Sequence, residues 1–168
     1  MPASFDRDFA LWLTQHGSER SVPVNTLEFA HPKWGSLYVG DYGEEFTAHK
    51  ETGEVFTALP LGFLIDVAAD NISTEQRVVI RLDNANGLVA SQLRSLTDED
   101  LQTPVAVTYR VYLDTKPAAP AIDPIVLFVA SVNMTRALVE CELAAEFLPN
   151  VTAGLRYTLE RFPSLVYL

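Results

Sequence analysis

Cysteine is almost missing: Cys141 is the only one in 168 residues. No intrachain disulfide can form, and a cysteine-rich metal site is excluded. The alternating apolar residues around Cys141 favour a buried, inert thiol over a reactive one. Histidine is scarce too. His16, His31 and His49 lie in separate segments and form no i, i+4 ligand pair, so they read as ordinary surface or half-buried side chains. Basic side chains number 12 against 22 acidic ones, a formal net charge of -10. Such a surface repels phosphate backbones and anionic lipid, so direct nucleic acid binding is not expected. No run approaches the ~18 consecutive apolar residues of a membrane helix, so no membrane insertion is expected. The opening "MPASFDRDFALWL" lacks the basic region and long apolar stretch of a secretion signal, which implies synthesis in the cytoplasm.

What is present describes a folded domain. The apolar fraction is 48% and the charged fraction 20%, the balance of a globular chain rather than a disordered one. The length suits one domain with a sizeable core. Ser4 is placed to cap a helix over residues 5–16, with Phe5, Phe9, Trp12 and Leu13 on one stripe and Gly17 at its end. Residues 1–20 therefore read as a helical arm, and 21–168 as a single β-rich domain.

After the arm the period changes to two. "VNTLEFAH", "GSLYVGDY", "EEFTAHK" and "EVFTALPLGFLIDV" read as an antiparallel series of strands, with Pro60 marking an edge or a bulge in the last. "QRVVIRLDN" is the next strand. "GLVASQLRSLTDEDL" carries leucines at helical spacing and reads as a short helix. "PVAVTYRVYL", "PIVLFVASVNM" and "ALVECELAAEF" follow as strands. The last has the Ala, Leu and Glu of a helix, but its alternation and the hairpin position of Thr135 and Arg136 favour a strand. Between the first two, "DTKPAAPAIDP" reads as a stiff, extended loop.

The sequence holds no GxSxG elbow, no GxxxxGK[ST] loop and no HExxH. No catalytic residue, cofactor site or metal site is assigned, and no enzyme is expected. The three acids from Asp98 to Asp100 are consecutive, which splays them and suits a solvated helix end better than a calcium loop. Glu44, Glu45 and Glu142 offer no more paired carboxylates than any acidic chain. Tyr109 and Tyr112 fall on opposite faces of their strand, one toward the core. Trp34, beside a turn, reads as a candidate exposed aromatic of the kind that marks sugar binding or a protein interface.

"NTLEFAHPKWGSLYVGDY", "TGEVFTALPLGFLIDV", "VVIRLDNANGLVASQLRSL", "PVAVTYRVYLDTKPAAP" and "RYTLERFPSL" resemble, in that order, a domain-of-unknown-function family of long-tailed bacteriophages. Its members look like minor tail proteins, encoded between the tape measure and the host-specificity (central fibre) protein. The resemblance spans about residues 25–165, and its most specific pieces are "TYRVYL" with its Pro-rich follow-on and the R-Y-T-x-x-R-F-P motif. It implies a virion protein of the phage tail tip or baseplate, made in the host cytoplasm, with no catalytic residues to carry over.

The expected fold is mainly β, an antiparallel β-barrel or sandwich with an N-terminal helix and one further short helix. The expected function is a structural tail-tip component. It would form a homo-oligomeric ring, hexamer preferred over trimer, near the distal end of the tail tube, and link the tube to the hub or central fibre. The alternative is a carbohydrate-binding β-sandwich that recognises host-surface glycan through Trp34, Tyr38 or Tyr42. The candidate interface residues are Phe5, Phe9, Trp12, Trp34, Phe162, Leu165, Val166, Tyr167 and Leu168. Burying such side chains contributes roughly 1.5–3 kcal/mol each, against an ordering cost of about 1–2 kcal/mol per residue. So slight a margin favours a preformed groove, with Phe162 anchored on its own domain and residues 165–168 reaching a neighbouring subunit.

Overall fold

The computed structural model describes residues 21–68, 77–84, 87–97 and 99–145. They form nine strands and one short α-helix. The strands are β1 (Pro23–His31), β2 (Gly35–Gly40), β3 (Phe46–His49), β4 (Val55–Pro60), β5 (Phe63–Ala68), β6 (Arg77–Asp83), β7 (Ala106–Leu113), β8 (Ile125–Met134) and β9 (Leu138–Ala144). Helix α1 (Leu88–Arg94) and a 3-10 turn (Asp100–Gln102) lie between β6 and β7. All nine strands join one sheet in the order β3-β4-β2-β1-β7-β8-β9-β6-β5. The protein is mainly β, as its alternating segments require.

Two expectations about the strands need correction. The series is not wholly antiparallel, because β2 and β4 run parallel at Val39–Leu59 and Gly40–Pro60. "EVFTALPLGFLIDV" is two strands rather than one. Pro60 has no N–H to extend a ladder, and it is the last residue of β4. The next two residues form a corner, where Leu61 N–H donates to Gly40 O and Asp83 N–H to Gly62 O, both at 2.9 Å. This corner carries the chain from β4, next to one edge of the sheet, to β5, which forms the other.

Strand β8 joins the halves of the sheet. Phe128 stands opposite Ala106 of β7 on one side and Ala144 of β9 on the other. A register shift between Val129 and Ser131 marks the bulge where β8 changes neighbours. The halves thereby turn toward each other around one core. Alternate residues Leu27 and Phe29 of β1, with Val39 and Val107, meet Ile80 and Leu82 of β6 and Val139, Cys141 and Leu143 of β9. Val89, Ala90 and Leu93 of α1 seal that core.

The opposite face of β1 and β7 builds a second core. Val24 and Tyr112, paired across the two strands, pack with Phe46 and Ala48 of β3 and Phe56 and Ala58 of β4. The β3–β4 hairpin thus lies over a sheet face that would otherwise meet water.

Helix α1 is shorter than "GLVASQLRSLTDEDL" implies. Gly87 opens it with φ +62°, a conformation that glycine adopts without strain. After Arg94 the backbone N–H and hydroxyl of Thr97 both donate to Asp100 Oδ2, at 2.8 and 2.7 Å. That side-chain turn competes with helical bonding and starts the 3-10 segment instead. The proline-rich loop also departs from the extended form. It folds back on β7 through Lys116 N–H to Leu113 O and Ala121 N–H to Val111 O, because proline's fixed φ suits turns as well as extended chain. The ambiguous segment around Cys141 is the strand β9, with burial alternating along it. The helical arm of residues 5–16 lies outside the described residues.

Candidate functional site

Glu28 is the centre of the most concentrated charge in the described residues. Its position on β1 belongs to the face that an isolated amphipathic strand would give to solvent. With β3 and β4 laid over that face, Glu28 is only 7% exposed and Arg110 of β7 only 5%. Arg110 Nη1 donates to Glu28 Oε2 at 2.8 Å, and its Nε donates to Glu51 Oε1 at 2.7 Å. Glu28 Oε1 accepts from Ser36 Oγ at 2.8 Å, from Tyr38 Oη at 3.1 Å and from Lys50 Nζ at 3.2 Å. Lys50 also pairs with Glu54 and stands 5.1 Å from the centre of the Tyr38 ring.

Burial by itself raises the Glu28 carboxyl, but the bonds from Ser36, Arg110 and Lys50 outweigh it and hold the pKa below its ordinary value. For Lys50, burial is likewise outweighed, by Tyr38, Glu54 and Glu28, and its pKa is raised. Both groups stay charged, and each is committed to protein partners. Tyr112 adds a bond from Oη to His49 O at 2.9 Å, and burial raises its phenol pKa. The chemistry of this cluster is attachment. It pins the β3–β4 turn to the β1–β7 ladder.

A second polar knot holds the C-terminal end of β1, three residues from Glu28. His31 is buried, contrary to its reading as a surface or half-buried residue, because the turn at Asp100–Gln102 covers it. Its Nε2 lies 3.2 Å from the carbonyl oxygens of Asp100 and Thr103, so that nitrogen donates. Its Nδ1 accepts from Lys33 N–H. Lys33 pairs with Asp100, and that bond, followed by those from Thr97, lowers the Asp100 pKa. Asp100 therefore braces the turn that covers His31.

The aromatic residues do not assemble into one platform. Trp34 is half-buried against the larger core, with its ring 4.9 Å from that of His31. Tyr38 and Tyr42 pack against the smaller core, Tyr38 stacked on Phe56 at 4.7 Å. Of the tyrosine pair on β7, Tyr112 is fully buried, while Tyr109 is partly buried and donates to Asn25 Oδ1 at 2.7 Å.

Exposed apolar side chains occur at separate places on the sheet, among them the edge strand β5 and the start of β8, which pairs with β7. Leu64 on β5 is 68% exposed, and Ile125 and Val126 at the start of β8 are 47% and 50% exposed. The outer face between them is charged. Arg81 bonds Asp66 and Glu140 across three strands, and Ser131 donates to Glu142 at 2.9 Å. Of the interface residues read from sequence, only Trp34 falls among the described residues. Phe5, Phe9, Trp12, Phe162, Leu165, Val166, Tyr167 and Leu168 lie outside them. Sequence reading missed Glu28, Arg110 and Lys50. A charged residue at an alternating strand position was the available signal, and it reads as solvated until a second layer is known.

Fold and site together define a mainly β domain whose buried charges fasten one layer to another. Residues 17–153 match the model of a family described as "Domain of unknown function (DUF1833)", and the chain belongs to that family. No curated protein matches the chain. Among the described residues no helix is long and apolar enough to cross a membrane, and no group of His, Cys, Asp and Glu is gathered to hold a metal ion.

Proposed function

We propose that this protein is a structural component of a bacteriophage tail tip or baseplate. In this reading it forms a homo-oligomeric ring near the distal end of the tail tube, a hexamer rather than a trimer, and joins the tube to the hub or central fibre. The ordered resemblance of the five sequence segments to phage minor tail proteins carries the reading. Two features of the fold support it. The charged cluster at Glu28 and Arg110 stiffens the domain and has its polar atoms engaged, and large apolar side chains stand exposed on β5 and β8.

The sheet is read as a sandwich rather than a barrel, because β3 and β5 pair on one side only among the described residues. The arm of residues 5–16 acts as a docking helix through Phe5, Phe9 and Trp12. A closed ring needs a head-to-tail contact in which two different surfaces meet. The segment containing Phe162 and residues 165–168 supplies one of them. The glycan-binding alternative is less well supported, since Trp34 and the pair Tyr38 and Tyr42 pack against different cores.

Peptide mass spectrometry of purified phage particles whose genome encodes this chain tests the assignment. The reading expects the chain in the particle at a few copies per tail. A chain expressed during infection but absent from purified particles would overturn it.

A further inference from the structure

The two outermost strands of the sheet are unlike. Strand β3 has four residues, and its last, His49, donates its N–H to Pro117 O of the proline-rich loop at 2.9 Å. That edge is short and partly covered. Strand β5 has six residues, Phe63–Ala68, and pairs only with β6 among the described residues. Edge strands are ordinarily blunted by lysine, proline, bulges or inward-pointing charge. Strand β5 holds no lysine or proline, its pairing with β6 is regular, and its one charge, Asp66, is engaged with Arg81. Leu64, the second residue of this strand, has the highest exposure of the large apolar side chains in the described residues. A strand edge of this kind receives another extended segment.

The sequence contains a matching segment. Leu165, Val166, Tyr167 and Leu168 form an apolar run rich in β-forming residues, set off by Pro163. We infer that the free edge of β5 receives residues 165–168 of a second copy of this chain as an added strand. The inference rests on the ring reading above and names the surface that closes the ring.

Chain length permits donation to a second copy. The described chain leaves β9 at Ala144, which stands in one row with Arg77 and Ala68. A strand added outside β5 is thus three strand spacings away, about 14 Å, which four or five extended residues cover. Nineteen residues lie between Ala145 and Leu165, and the twenty steps from one to the other reach up to about 66 Å when extended. A cis strand needs only a fraction of that spacer, and the surplus is long enough to carry residues 165–168 to a neighbouring copy.

Two variants of the full chain and their mixture test the contact. Leu64→Lys places a charge on the receiving edge at an exposed position, and replacing residues 165–168 with serine removes the donated strand. The wild-type chain is expected to sediment as a multi-subunit species, and each variant by itself as a monomer with an unchanged β signal in circular dichroism. Mixed in equal amounts, the variants retain one intact edge and one intact strand between them, and are expected to form a 1:1 dimer. A monomeric wild-type chain, variants that assemble like the wild type, or a mixture that stays monomeric each overturns the inference.

Cysteine pairing provides the second measurement, independent of how either variant folds. A Leu64→Cys chain mixed with a Val166→Cys chain is expected to give a disulfide-linked dimer under oxidation, with Cys141 buried and unreactive. A chain carrying both substitutions that crosslinks only to itself at high dilution overturns it. These outcomes are separate from the tail assignment, which fails only if the chain is missing from particles.

Discussion

Glu28 and Arg110 are 82 residues apart in sequence and meet at 2.8 Å in a buried, charge-assisted hydrogen bond. Because one lies on β1 and the other on β7, the bond ties two central strands. Through Glu51 and Lys50 it also holds the turn between β3 and β4. Removing one partner of a buried pair leaves an uncompensated charge, whereas replacing both with apolar residues can be nearly neutral. Arg110→Leu is therefore expected to lower stability by about 3–5 kcal/mol in urea unfolding. The double variant Glu28→Met, Arg110→Leu should cost clearly less than the sum of the two single changes. Additive losses would show that the pair is not coupled.

The same carboxylate sets an acid limit. With its folded pKa held below the ordinary 4.5, Glu28 binds a proton less readily in the native protein than in the unfolded one. Its contribution is fully present above about pH 4.5 and is lost as pH falls through the folded value. Urea midpoints measured from pH 7 down to 3 should fall below about pH 4.5, and Glu28→Gln should flatten part of that fall. An unchanged slope in the variant would remove Glu28 from the account.

Cys141 should be silent to thiol reagents. It is fully buried on β9, and burial, then Glu140, push its thiol up from 9.0 to about 12. A shift of that size reduces the thiolate about a thousandfold, before access is considered. A colorimetric thiol assay should register one thiol in denaturant and none on the same timescale in buffer. Prompt labelling of the native protein would mean that the larger core opens readily.

Gly87→Ala tests the start of α1. Space for a methyl group exists, with nothing within 4 Å of the added carbon, but φ is +62°. The cost is conformational, about 1–2 kcal/mol. Thermal unfolding should register that loss without a change in β signal. Equal stability would place the backbone there in an ordinary conformation.

Local chemistry made much of this fold legible in the sequence. Alternation located β9 despite its helix-forming residues, since Val139, Cys141 and Leu143 all face one core. The presence of α1 was legible from its leucine spacing, but its buried stripe was read only in part: Leu93 faces the core with Val89 and Ala90, whereas Leu88 is exposed. Features that depend on distant partners were not. Nothing near Leu59 or Pro60 indicates that β4 meets β2 in parallel, and nothing near Glu28 indicates the layer above it. His31 was misread for the same reason, because its cover comes from a turn about 70 residues away. The larger part of the predicted interface lies in residues 5–12 and 162–168, outside those described, so the candidate surface within the fold rests on β5, β8 and Trp34.

A reconstruction of the intact phage tail by electron cryo-microscopy, with density at the distal end fitted by the nine-stranded sheet, tests the central claim most directly. The account predicts six copies in a closed ring around the tail axis, with density for residues 165–168 of each copy lying along β5 of the next. A tail tip whose density is fully accounted for by other chains, with no place for this sheet, would contradict it.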